Sequence, residues 1–167
     1  MVAVAVPLLV PRGTAPMDPD AAASSAGDAA PSSAGSPAGI LADAVAADPG
    51  DAVLRTRLAE SYADAGRDAE ALEEWAAAYR LAPSSSHAAQ EYAAALVKAG
   101  RTDEAIAILQ RENARVPDEP GTLLLLGTLL VQNDRPEGAD LLARYLELTP
   151  DSPLRDEVRE AIEGVAR

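Results

Sequence analysis

From Ile40 onward, apolar residues recur at helical spacing, and each run ends at Gly, Pro, Asp or Ser. The pattern predicts helices over 40–47, 52–65, 69–81, 86–99, 103–115, 120–132, 136–148 and 153–166. Asp51 stands where a side-chain oxygen caps the helix that follows, and Gly66 stands where that helix needs a left-handed residue. Pro120 and Pro153 suit first-turn positions, which need no backbone donor, and Ser152 is placed to cap the last helix. That last helix gathers Leu154, Val158, Ala161, Ile162 and Val165 on one face and charged residues on the other, as a solvating end cap would. The run 122–132 (TLLLLGTLLVQ) is apolar almost all round. Such a helix is either buried on every side or docks something.

The breaks between helices keep a fixed period. Pro49, Pro83 and Pro117 are 34 residues apart, and Pro150 follows after 33. Gly66 and Gly100 keep the same spacing, as do Arg67, Arg101 and Arg135, and Ala71, Ala105 and Ala139. Periods of this length mark arrays of helix pairs that bury their apolar faces only by stacking on neighbours. The expected fold is therefore all-α: a solenoid of three helix hairpins over 52–85, 86–119 and 120–151, flanked by a first helix and an end cap. Period-two runs of the kind a sheet requires are missing, and aromatic residues make up only 3% of the chain.

Residues 11–39 are built from Pro, Ala, Ser, Gly and Asp and offer almost nothing to bury. We expect residues 1–39 to form a disordered leader ahead of a repeat domain over 40–167. Val2 to Val10 (VAVAVPLLV) is apolar, but it is too short to span a bilayer and lacks the preceding basic residue of a signal peptide. Met17 offers an alternative start. A cytoplasmic location is expected, with membrane association or export through this segment as the alternative.

The chain carries 27 acidic against 14 basic residues, a formal charge of −13, which disfavours nucleic acid and anionic membranes as partners. There is no Cys and only one His, so thiolate sites and paired imidazoles are excluded. His87 follows Ser84, Ser85 and Ser86, a run that reads as a capping turn; a serine nucleophile would need a base oriented by a third group. No catalytic residue, metal site or cofactor is expected.

The repeating residues resemble the tetratricopeptide repeat family. In the first unit Leu58, Ala59, Tyr62, Gly66, Ala71, Trp75, Ala78 and Pro83 fall at its signature spacings. Tyr92, Ala93, Leu96, Gly100, Ala105, Leu109 and Pro117 match in the second, and Leu123, Leu126, Gly127, Leu130 and Ala139 in the third. Two departures stand out. Glu112, Asn113 and Arg115 occupy small or apolar positions, so that helix end is expected to fray or to pack through Ala114 and Val116. The third unit is one residue short between Ala139 and Pro150; a gap before Leu142 would restore Leu142, Leu146 and Leu148 to apolar positions.

The resemblance implies a non-catalytic scaffold or adaptor that holds a partner peptide or amphipathic helix in a groove lined by the first helices of the units. By matching offsets the groove residues are Val53, Thr56, Glu60, Ala63 and Asp64, then His87, Gln90, Ala94, Val97 and Lys98. The third unit adds Leu124, Thr128, Val131 and Gln132. With Lys98 and no Asn on that surface, the carboxylate-clamping mode of some relatives is not expected. Another protein is the expected partner. Self-association through 122–132 and a membrane-tethered or exported assembly factor are the alternatives.

Overall fold

A computed structural model describes residues 35–165, so the expectation for the leader up to residue 34 falls outside the described residues. Every regular element among these residues is a helix: α1 Pro37–Ala47, α2 Ala52–Asp64, α3 Asp68–Leu81, α4 Ser86–Lys98, α5 Thr102–Arg115, α6 Pro120–Gln132, α7 Glu137–Leu148 and α8 Arg155–Val165. The first of them starts at Pro37 rather than Ile40, because the Ser36 hydroxyl accepts from the Gly39 amide and Pro37 fits the first turn. The last starts at Arg155 rather than 153. The Ser152 hydroxyl does accept from Leu154, but Pro153 and Leu154 form a turn before the helix proper.

The period is visible in the backbone chemistry. Asp51, Ser85 and Glu119, spaced by the repeat, each place a side-chain oxygen on an amide of the following helix. At the far ends Arg67, Arg101 and Arg135 donate their amides to Tyr62, Leu96 and Leu130, and the preceding residue donates to Ala63, Val97 and Val131. These paired bonds make the turn that closes a helix through a left-handed residue. Gly66 (φ 72°) and Gly100 (φ 75°) supply it in the first two units and Asp134 (φ 56°) in the third. The repeated arginines then pair with carboxylates at the start of the next helix: Arg67 with Glu70, Arg101 with Glu104 and Arg135 with Glu137.

Helices α2 and α3, α4 and α5, and α6 and α7 pair as hairpins, and each second helix packs on the next first helix. Ala59, Ala71 and Trp75 fill the first junction together with Ala95, and Leu96, Ala105, Leu109, Leu126 and Leu130 fill the second. In the third hairpin glycines make the contact. Gly127 and Gly138 bring α6 and α7 so close that a Cβ added at Gly138 would lie 2.5 Å from the Gly127 carbonyl oxygen. This relocates the missing residue of the third unit. Ala71, Ala105 and Gly138 are the buried contact residues, followed by Trp75, Leu109 and Leu142. The deletion therefore lies in the turn before Gly138, not between Ala139 and Leu142. Short bonds from Gly138 to Arg135 and from Ala139 to Pro136 take up the lost residue, and Ala139 is only half-buried.

Helix α5 does not fray. Glu112, at the register of Ala78, is only 3% exposed, and its carboxylate accepts from the Ser86 hydroxyl (2.5 Å) and from Arg115 (2.5 and 3.0 Å). Ala114, expected as a packing contact, faces solvent. Burial pushes the Glu112 carboxyl up, but the bonds from Arg115 and Ser86 and the guanidinium charge outweigh it and hold it below the usual carboxylate range. A lowered folded-state pKa contributes stability above the ordinary value of about 4.3 and loses it as pH falls through the folded one. Glu112→Gln should therefore flatten the acid side of a plot of melting temperature against pH. Parallel curves for the two proteins would contradict this tie.

Candidate functional site

The first helices α4 and α6 pack side by side, as do α6 and α8, whereas α2 and α4 make no comparable contact. A concavity of about 260 Å³ opens between them, lined by Ala52, Val53, Thr56, Arg57, Glu60, Ala82, Ser85, His87 and Ala88. Val53 is 61% exposed, a large aliphatic side chain turned to solvent at the rim of an otherwise small-residue floor. Across the gap the His87 ring stands between two carboxylates, with Nε2 3.9 Å from Glu60 on α2 and Nδ1 3.9 Å from Glu91 on α4.

Of the groove residues expected from the sequence, the structure gathers Val53, Thr56, Glu60 and His87 around this concavity. The Thr56 hydroxyl is already spent on the Ala52 carbonyl (3.0 Å). Asp64 is exposed one turn beyond Glu60. Ala63 turns inward against the Trp75 cluster and Val97 against the Leu96 cluster, while Ala94 is half-buried. Gln90 is a strut between units: its amide donates to Glu119 (2.5 Å) and Thr122 (3.2 Å). Lys98 is held by Asp68 at 2.6 Å.

The third unit departs from expectation. Leu124 and Val131 are half-buried among Leu123, Leu142, Tyr145 and Val158, in the cluster that seats Leu154, Ala161 and Ile162 of the end cap. Thr128 is buried, and only Gln132 is exposed. The apolar circumference of α6 is consumed within the chain, since Leu123, Leu126, Leu129 and Leu130 are each 2% exposed and α4, α5, α7 and α8 surround the helix. Of the two readings of an all-apolar helix, the structure realises the buried one for Leu123, Leu126, Leu129 and Leu130, while Leu124, Leu125 and Val131 stay half-buried.

Sequence reasoning missed Ala52, Arg57, Ala82, Ser85 and Ala88. Projection along first-helix offsets does not reach Ala82 and Ser85, which lie in the turn between hairpins, although the Pro83 break marks that turn. Around His87 the serines are engaged elsewhere: Ser85 caps Ala88, and Ser86 donates to Glu112. No group of three or more His, Asp or Glu side chains among the described residues could hold a metal ion. No helix among them is long and apolar enough to cross a membrane.

A family model described as tetratricopeptide repeat matches residues 32–148. Solved structures share the fold. The MamA 41-end structure from Desulfovibrio magneticus RS-1 superposes with a TM-score of 0.62 at 18% identity, covering 80% of this chain and 85% of that one. A crystal structure of MamA protein gives 0.61 at 18% identity over 75% and 76%. No curated protein matches the chain.

Proposed function

Since the chain belongs to the tetratricopeptide repeat family, we propose that this protein-interaction scaffold seats a segment of its partner between α2 and α4. The observation that carries the reading is the parting of these two first helices around an outward-facing Val53, while the equivalent apolar face of α6 is taken by the end cap. A partner segment, extended or helical, would lay an aliphatic side chain against Val53 and the alanines of the floor. Each large apolar side chain so covered is worth roughly 1.5–3 kcal/mol, from which the ordering of the segment is subtracted. Two or three such anchors give about 3–9 kcal/mol before that subtraction, which supports affinity of about a millimolar, approaching a micromolar only with further contacts.

Affinity capture from the native host tests this reading. Val53→Asp places a charge on the rim without touching the core, so it should lose the partner that the wild-type chain retains, with helicity unchanged. Glu157→Arg, on the outer face of α8, should retain it. Capture of the same partner by Val53→Asp would show that the site lies elsewhere. Val131→Glu is not a clean probe, because it would lodge a charge in the end-cap cluster.

A further inference from the structure

We propose that α1, α2 and α3 form a jaw that swings on the rest of the array about the turn at 82–85, opening and closing the concavity between α2 and α4. The motion belongs to the free chain and does not depend on what occupies the groove. The observation that carries it is a strut present at the second junction and missing at the first. At the second, the Gln90 amide of α4 donates to the Glu119 carboxylate (2.5 Å) and the Thr122 hydroxyl (3.2 Å), pinning α4 to α6. Gly121 leaves room for it, since a Cβ there would lie 2.9 Å from the Gln90 amide. One period earlier these four positions hold Thr56, Ser85, His87 and Ala88. All four line the concavity.

These four residues do not rebuild the strut. The Thr56 hydroxyl donates to Ala52 in its own helix (3.0 Å). Ser85 caps Ala88 as Glu119 caps Thr122, but with a shorter side chain. Ala88 has no polar side-chain atom, and His87 puts a side chain where Gly121 keeps the way clear. The polar links that remain across the first junction among the described residues are exposed: Lys98 to Asp68, Arg111 to Tyr79 at 3.4 Å, and His87 to Glu60 at 3.9 Å, beyond hydrogen-bonding distance. Exposed pairs of this kind hold little. The buried packing differs too. Trp75 meets Ala59, Ala71 and Ala95 at the first junction, whereas Leu96, Leu109, Leu126 and Leu130 meet at the second. The buried indole Nε1 has no acceptor among the described residues, a penalty released when the junction parts and water reaches it. Hinges are a few residues of a connecting segment, and Ala82, Pro83, Ser84 and Ser85 supply one here.

Pulsed electron resonance on spin-labelled full chains tests the jaw, because the chain has no cysteine to compete for label. Glu73, Ala107 and Asp140 are repeat equivalents on the exposed faces of α3, α5 and α7. The Glu73→Cys/Ala107→Cys pair should give a distance distribution about twice as wide as the Ala107→Cys/Asp140→Cys pair. Gln90→Ala, which removes the existing strut, should widen the second distribution. Transplanting the strut with Thr56→Gln/Ser85→Glu/His87→Gly should narrow the first to the width of the second. Equal widths in the two starting pairs, or a first distribution that the transplant leaves broad with helicity retained, would overturn the jaw. The starting pairs and Gln90→Ala decide the matter even where the transplanted chain fails to fold. Under the groove reading, the locked chain should also bind the captured partner about ten-fold more weakly. A narrowed distribution with the partner still held would overturn the groove reading and leave the jaw standing.

Discussion

Gly138→Ala should lower the melting temperature by about 10 °C, an unusually large effect for one methyl group. The added Cβ would lie 2.5 Å from the Gly127 carbonyl oxygen, 2.8 Å from the Leu130 Cβ and 2.9 Å from the Val131 amide nitrogen. None of these atoms belongs to a side chain that can rotate away, so α6 and α7 must separate and the packing of Leu142 and Leu130 between them loosens. Overpacking a core costs about 1–3 kcal/mol when side chains can adjust. Here the obstacle is backbone, and we expect about 3 kcal/mol or more even after the helix-propensity gain of up to about 1 kcal/mol. Gly164→Ala is the control: nothing lies within 4 Å of a Cβ added there, so the change should be small. Thermal melts followed by circular dichroism decide between them, and equal shifts would mean that the Gly127–Gly138 contact is not the tight point of the array.

Trp75→Ala should cost about 3–5 kcal/mol, and Trp75→Phe less than about 1 kcal/mol. Trp75 is 9% exposed and sits with Ala59, Ala71 and Ala95 at the junction of the first and second hairpins, supported by Tyr62, Leu72 and Tyr92. Truncation leaves a cavity walled by alanines, which have no side chain to fill it. The indole Nε1, however, is buried and finds no acceptor among the described residues. A buried donor without a partner costs about 1–3 kcal/mol, so phenylalanine trades lost ring area against removal of that penalty. Urea unfolding of the three proteins measures both differences. A Phe variant as unstable as the Ala variant would show that the indole nitrogen has an acceptor and that shape is not what holds the junction.

The architecture was legible because its cause is local and repeated. Alternating apolar faces, a capping oxygen at each start and a left-handed residue at each stop all keep one period, so Asp51, Gly66 and Gly100 could be placed from spacing alone. Positions where a different residue does the same work were not visible. Glu119 caps as Asp51 does, and Asp134 turns as glycine does, although neither follows the residue preferences of those sites. The shortened unit was seen but its gap misplaced, because Ala139 keeps the spacing of Ala71 and Ala105 while Gly138 makes the contact. Glu112 read as a break in the apolar pattern. Its partner Ser86 lies on another helix, and a tie between helices has no signature along one of them.

The candidate site was less legible than the fold. Offsets along a repeat say which way a side chain points but not whether the neighbouring helix leaves room. Leu124 and Val131 point the same way as Thr56 and Ala63, yet the end cap packs against them, whereas Val53 is left open because α2 and α4 stand apart. Glu91 fell outside the projected set altogether; its side chain, 20% exposed, lies 3.9 Å from the His87 ring, a neighbour that only the packed structure reveals.

Hydrogen exchange of the full chain, alone and saturated with the partner it captures, tests the central claim most directly. The account predicts slowed exchange in α2, in the turn at 82–85 and in the first half of α4, with α6 and α8 unchanged. Protection concentrated in α6 and α8, with α2 unaffected, would contradict it.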